Sequence, residues 1–260
     1  MKVCATTAQF PGATIPFALD KITAGVSEGV WGTLSPEHIQ LCPQNPTILS
    51  EGVVEGLCAA YPQSQLRLHA NARVLDRHVL WDVSTFDAQT HHYYRALADR
   101  MVRLGATTFS VHSGYLRNCS SEEFWERLNR LRDDVDHWTQ GRVCVAVEGL
   151  YPCAARPQHI GTWKEYEQLL REEIPFALDL SHLKIVGCHE KTWNSDLVRE
   201  LLASPLCVEV HVSDNDGRSD RHSTVQRHPQ WWEHLQSASL PSTCVIFSEG
   251  NLMPRKISLF

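Results

Sequence analysis

The chain alternates short apolar runs with longer stretches of helical periodicity. The apolar runs are five to eight residues long and rich in Val, Ile and Leu, which is typical of buried strands. Eight strands are predicted, at 3–8, 38–42, 65–70, 107–112, 143–150, 175–180, 207–212 and 243–248.

Six stretches between these runs have helical period or composition. They are 50–61, 88–104, 121–139, 162–172, 195–203 and 229–236. The third has a clear start signal, Ser-Ser-Glu-Glu at 120–123. In residues 10–37, Pro and Gly interrupt any pattern, and we interpret this region as a loop with one irregular helix.

Strands that alternate with helices pair in parallel through right-handed crossovers, and eight such units close into a barrel. The 260 residues match the usual size of this architecture, which buries about three quarters of the unfolded surface. No linker or repeat interrupts the pattern. The prediction is an α/β protein, a single (β/α)8 TIM-barrel domain over residues 1–260.

The composition is that of an ordinary globular protein, with 43% apolar and 21% charged residues. A net charge of −6 gives no electrostatic footprint for nucleic acid. The nine cysteines are an odd number without a C-x-x-C pair, which indicates reduced thiols. The first residues lack an apolar signal segment and no window holds 18 consecutive apolar residues, so we expect a cytoplasmic protein with no membrane partner.

Metal-binding side chains stand at or just after the ends of six successive predicted strands. The motifs are Leu-His-Ala at 68–70, Val-His-Ser at 111–113, Val-Glu-Gly at 147–149, Leu-Asp-Leu-Ser-His at 178–182, Val-His-Val-Ser-Asp at 210–214, Asp-Arg-His at 220–222 and Ser-Glu-Gly at 248–250. Carboxyl ends of barrel strands converge at one mouth. The predicted metal ligands there are His69, His112, Glu148, Asp179, His182, His211, Asp220, His222 and Glu249.

Imidazole nitrogens and carboxylate oxygens suit divalent zinc, iron or manganese. Nine donors exceed what one ion can use beside a substrate, and they suffice for two or three ions if Glu148 bridges. Asp179 and His182, three residues apart across a turn, are expected to serve neighbouring ions. Paired metals stabilise attacking and leaving oxygens together.

The order and strand placement of these motifs resemble the xylose-isomerase-like barrel superfamily, most closely its endonuclease IV branch. The match covers roughly residues 65–250, and its most specific pieces are Leu-Asp-Leu-Ser-His and His-Val-Ser-Asp followed by Asp-Arg-His. The resemblance implies a trinuclear zinc cluster with a hydroxide held by the metals as nucleophile. It assigns one ion to His69, His112 and Glu148, a second to Glu148, Asp179, His211 and Glu249, and a third to His182, Asp220 and His222.

The chain departs from that branch in two loops. After His222 it reads Ser-Thr-Val-Gln-Arg-His-Pro-Gln-Trp-Trp where the family has Gly-x-Gly, and the Ala-Asn-Ala-Arg after His69 lacks the bulky residues that the family wedges into DNA. The metal chemistry therefore carries over better than DNA binding, and nucleic acid is not expected as a partner.

Three alternatives stay open. The chain also resembles multinuclear non-heme iron enzymes that oxidise small molecules or peptides, which have a similar ligand order. In those enzymes the segment after the Asp-x-His pair contains a Pro and a Trp, loosely like residues 228–232 here. A single-metal sugar isomerase or epimerase needs only Glu148, Asp179, His211 and Glu249, with two carboxylates moving protons. A metal-dependent binding protein is the non-enzymatic alternative.

The favoured prediction is hydrolysis of a phosphoester-like small molecule. Glu148, Asp179 and Glu249 are the candidate catalytic carboxylates. Arg73 and Arg221, near the expected mouth, are candidate ligands for an anionic substrate group, because a guanidinium fork matches phosphate or carboxylate. The sequence leaves the oligomeric state open.

Overall fold

The computed structural model describes residues 1–75 and 81–253. Within these ranges, eight parallel strands follow one another around a closed barrel, and the first pairs with the last. They are β1 (Val3–Thr6), β2 (Ser35–Leu41), β3 (Gln65–His69), β4 (Thr108–His112), β5 (Cys144–Glu148), β6 (Phe176–Asp179), β7 (Cys207–Val212) and β8 (Val245–Ser248). The predicted TIM barrel is confirmed.

Helices separate the strands along the chain. In the described ranges they are α1 (Ile15–Thr23), α2 (Glu51–Ala60), α3 (His91–Leu104), α4 (Ser121–Thr139), α5 (Trp163–Arg171), α6 (Leu180–Glu190), α7 (Ser195–Ala203) and α8 (Trp232–Ser237). Helix α4 begins as predicted, because the Ser120 hydroxyl accepts from the Glu123 N–H and the Glu123 carboxylate accepts from the Ser120 N–H.

Besides shifts of one to three residues at element ends, two regions contain elements that were not predicted. The region 10–37 holds the regular helix α1 and a short antiparallel hairpin, Ser27–Glu28 with Gly32–Thr33. The predicted strand 175–180 ends one residue early at Asp179, which caps α6, a helix that was not predicted. Seven of the first eight residues of α6 are buried, so this helix lacks the polar face that marks an amphipathic helix in a sequence.

Apolar side chains fill two regions. A large cluster contains residues of both the barrel strands and the surrounding helices, and a small one contains Cys4, Val245 and Phe247. In the part of the chain that the structure describes, no helix is long and apolar enough to cross a membrane. Residues 76–80 and 254–260 of the predicted domain lie outside the described residues.

Candidate metal centre

The strand register brings the nine predicted metal ligands to one end of the barrel. Strands β3, β4, β5 and β6 end at His69, His112, Glu148 and Asp179. His112 pairs with Glu148, and Asp179 pairs with His211 of β7. The other four donors follow nearby elements: His182 in the first turn of α6, Asp220 and His222 in the loop after β7, and Glu249 directly after β8.

Glu148 lies at the centre of the group. Its Oε2 atom is 3.4 Å from His211 Nδ1, 3.6 Å from His69 Nε2 and 3.7 Å from His112 Nε2. Its Oε1 atom is 3.5 Å from His182 Nδ1. Four imidazoles from different elements therefore surround one carboxylate, which is the arrangement expected of a bridging ligand.

A second set of contacts extends from His182 toward the loop after β7. His182 Nε2 lies 3.5 Å from both Asp179 Oδ2 and Asp220 Oδ2. Asp220 Oδ2 is 2.8 Å from His222 Nε2, and His222 Nδ1 is 3.5 Å from Glu249 Oε2. This second set joins the Glu148 group through His182, so the nine donors form one continuous cluster.

The cluster borders a small cavity of about 170 Å³. Six of the nine donors are buried and His112, Asp220 and His222 are half-buried. Among the described residues, six more line the cavity and were not identified from the sequence, namely Pro43, Gln44, Tyr115, Leu150, Tyr151 and Gln158. They come from three loops, two of which are joined where Tyr115 pairs with Gln158 in an antiparallel bridge.

Five buried atoms of this cluster have no hydrogen-bond partner among the described residues. They are Glu148 Oε2, Asp179 Oδ2, His211 Nδ1, Asp220 Oδ1 and His222 Nδ1. All but Asp220 Oδ1 lie 3.4–3.5 Å from a partner in the ion-pair contacts given above, but without the geometry of a hydrogen bond. Buried polar atoms without a hydrogen bond are rare in folded proteins. Carboxylate oxygens and imidazole nitrogens are the atoms that divalent cations bind. The residues therefore fit a metal centre.

The pKa values of Glu148 and Glu249, which both lie near His211, are shifted in opposite directions. Burial raises the pKa of Glu148, but the charges of His211 and His69 outweigh burial and leave this pKa below its usual range. Burial raises the pKa of Glu249 to about 7, and the neighbouring Glu148 carboxylate adds to the effect.

The histidines also differ among themselves. Burial lowers the pKa of His182, but Asp179 and Asp220 outweigh it and raise this pKa to about 10. Asp220 outweighs burial in the same way at His222 and raises its pKa to about 9. Burial holds the pKa of His69 well below its usual value despite Glu148. Without metal, the cluster thus combines charged and neutral imidazoles at pH 7.

The two predicted substrate-binding arginines are not among the described residues that line the cavity. Arg221 is exposed, with Nη2 at 2.8 Å from Asp216 Oδ2 and Nε donating to Ser219 Oγ at 3.2 Å. Arg73 is half-buried, and its carbonyl accepts from the Leu49 N–H. The role of both arginines in binding substrate stays a prediction.

The aromatic segment after the Asp-Arg-His motif packs on the N-terminal hairpin. The ring centroids of Trp31 and Trp232 are 4.7 Å apart, and His228 stacks on Trp232 at 4.5 Å. Trp231 is fully buried against Trp31. Within the described chain, none of these residues lines the cavity.

Comparisons with known proteins show the fold. No family model and no curated protein sequence matches the chain. Solved structures do match: a D-tagatose 3-epimerase-like protein has a TM-score of 0.69 at 15% identity, covering 95% of this chain and 90% of that one. An AP endonuclease, family 2, from Brucella melitensis gives 0.61 at 14% identity, with 98% and 93% covered. An IOLI protein with a bound zinc atom gives 0.61 at 13% identity, with 97% and 90% covered. These solved structures share the fold of this chain over nearly its whole length.

Proposed function

We propose that the protein is an enzyme that hydrolyses a phosphoester-like small molecule with two or three divalent metal ions. The proposal is supported above all by the number and spread of the buried donor atoms that have no hydrogen-bond partner in the described parts of the chain. They occur around Glu148 and His211 and also at Asp220 and His222. A single ion would use only Glu148, Asp179, His211 and Glu249. The other five donors, which are four histidines and Asp220, would then have no chemical role.

Three subsets of the donors are compact enough to hold an ion. The candidate atoms lie within 4.8 Å of one another in His69–His112–Glu148, in His69–His211–Glu249 and in Glu148–Asp179–His182. The bound ions would polarise a phosphoryl oxygen and lower the pKa of water to supply a nucleophile. Zinc is the first metal to test, because a neighbour of the same fold was solved with it.

Side chains at the cavity wall would bind and orient the substrate. Burial raises the pKa of Tyr151 to about 12, so its hydroxyl stays protonated well above neutral pH. The hydroxyl can therefore donate a hydrogen bond to a substrate oxygen. The Tyr151 ring is 5.0 Å from that of His182. Tyr115 and Gln158, where two loops pair, line a cavity of only about 170 Å³, which favours a small substrate over a duplex.

A sugar epimerase is the second candidate, and one feature favours it. Glu148 Oε2 and Glu249 Oε1 lie 3.4 and 3.8 Å from the same nitrogen of His211, and their pKa values are shifted in opposite directions. Carboxylates whose pKa values are driven apart are suited to act as an acid and a base. Solved epimerases also share the fold.

One experiment separates the two candidates. The zinc- or manganese-loaded protein is incubated in D₂O with bis(4-nitrophenyl) phosphate, with a panel of phosphomonoesters, and with D-fructose or D-psicose. Nitrophenolate or phosphate release without deuterium uptake by the sugars is expected. Deuterium incorporation beside the sugar carbonyl, with every phosphoester intact, would favour the epimerase and overturn the hydrolase.

Metal uptake is expected to release protons. At pH 7 the metal-free protein carries a second ring proton on each of His182 and His222, because their pKa values are about 10 and about 9. A metal binds the neutral imidazole, so both protons must leave, and the apparent metal affinity should rise between pH 7 and pH 9. Calorimetry in two buffers of different ionisation enthalpy measures the release. An affinity that does not change over this range would contradict the assignment of these two ligands.

A further inference from the structure

Four buried polar side chains lie inside the barrel beside the candidate donors: Gln40, Arg67, Ser110 and Glu209. Glu209 Oε1 accepts from Arg67 Nη1 at 3.0 Å, and Glu209 Oε2 accepts from Gln40 Nε2 at 3.0 Å. Because side chains alternate along a strand, Arg67 shares the inner face of β3 with His69, and Glu209 shares that of β7 with His211. In each pair, a charged residue lies two positions before a candidate ligand.

Glu209 is the acceptor for one ring nitrogen of His211. His211 Nε2 lies 3.3 Å from Glu209 Oε2 and 3.3 Å from Gln40 Nε2. The Gln40 amide nitrogen is a donor that already bonds Glu209 and, at 3.1 Å, Ser110 Oγ. It offers no lone pair to an imidazole, so a proton on His211 Nε2 points to the Glu209 carboxylate.

The other ring nitrogen of His211 faces the cluster. Its Nδ1 atom lies 3.4 Å from Glu148 Oε2 and 3.8 Å from Glu249 Oε1, without a hydrogen-bond partner among the described residues. A neutral imidazole with its proton on one nitrogen has a free lone pair on the other, and that lone pair binds a metal.

We infer that Glu209 is a positioning residue for the metal centre. It holds the Nε2 proton of His211 and thereby presents Nδ1 to an ion, while Arg67 fixes the Glu209 carboxylate from the other side. This inference rests on the metal centre of the proposed function. It assigns a role in metal affinity to a buried ion pair that would otherwise serve only the fold.

The test must separate positioning from stability. A buried ion pair can often be replaced by apolar residues without loss of stability, whereas removing one partner alone is destabilising. The variant is therefore the double substitution Arg67→Met/Glu209→Leu. Thr108→Val is the matched control, because the Thr108 hydroxyl also accepts from Arg67, at 3.4 Å, and forms no hydrogen bond with His211 among the described residues.

The measurement is zinc affinity of the metal-stripped proteins by competition with a chromophoric chelator, with thermal unfolding recorded in parallel. We expect the double variant to unfold near the wild-type temperature and to bind zinc roughly 10- to 100-fold more weakly, with Thr108→Val unchanged. If the double variant does not fold, Glu209→Gln takes its place, and weaker zinc binding with an unchanged circular dichroism spectrum supports the inference.

Failure of the positioning role and failure of the metal centre give different results. Equal zinc affinity of the wild type and a folded Glu209 variant would overturn the positioning role and leave the metal centre intact. A wild-type protein that binds no zinc, manganese or iron would overturn the metal centre, and the positioning role with it.

Discussion

Replacing Glu148 by Gln is expected to abolish activity and to remove at least one metal ion while the barrel stays folded. Glu148 lies within 3.4–3.7 Å of four imidazoles, so its carboxylate is the shared donor of the cluster. The amide keeps the shape of the side chain but offers one weaker oxygen donor and no negative charge. Turnover, metal content and thermal unfolding of Glu148→Gln measure the three effects.

Glu28→Gln is the matched control for this variant. Glu28 is also buried, and it accepts from Gln9 Nε2 at 2.8 Å, from the Val225 N–H at 3.2 Å and from the Ser248 hydroxyl. Burial raises its pKa. None of its three partners is one of the nine candidate donors, so Glu28→Gln tests the loss of a buried carboxylate away from the cluster. This control should keep both metal and activity. A Glu148→Gln protein with full turnover and the wild-type metal content would show that Glu148 is not a bridging ligand.

Removing either His182 or His222 should cripple the enzyme if its centre holds more than one ion. These two imidazoles flank Asp220 at 3.5 and 2.8 Å and belong to none of the positions that a single-ion epimerase requires. An ion that contributes several kcal/mol to the transition state corresponds to a rate loss of roughly 100-fold or more. His182→Ala and His222→Ala should therefore show that loss and a lower metal content.

The exposed His189 provides the control on the same helix as His182. His189→Ala should match the wild type in rate and metal content. Full turnover and an unchanged metal content in both His182→Ala and His222→Ala would contradict a multinuclear centre. Retained sugar epimerisation with a single remaining ion would move the assignment to the epimerase.

The barrel and the convergence of the candidate donors at one end of it were predictable because each depends on a short-range pattern. Buried parallel strands are continuous apolar runs, and barrel geometry brings their carboxyl ends together, so His69 and Glu148 could be placed without coordinates. Helix α6 was not predictable in this way, because burial on most sides removes the polar face that reveals a helix.

Loop side chains were harder to place, since their direction depends on tertiary contacts. Tyr151 and Gln158 reach the cavity because two loops pair, and no local pattern records that pairing. Arg221 forms an ion pair with Asp216, which the sequence did not indicate. The sequence alone could have identified Glu209. It lies two residues before His211 in an apolar strand, so its carboxylate must point to the same face of the strand as His211.

The number of metal ions per chain tests the central claim most directly. The protein is purified anaerobically without a metal-affinity step and its metal content is measured by elemental analysis. Two or three zinc, manganese or iron ions per chain are predicted. One ion per chain would contradict the multinuclear centre, and no ion, with no uptake of added metal, would contradict the metal site itself.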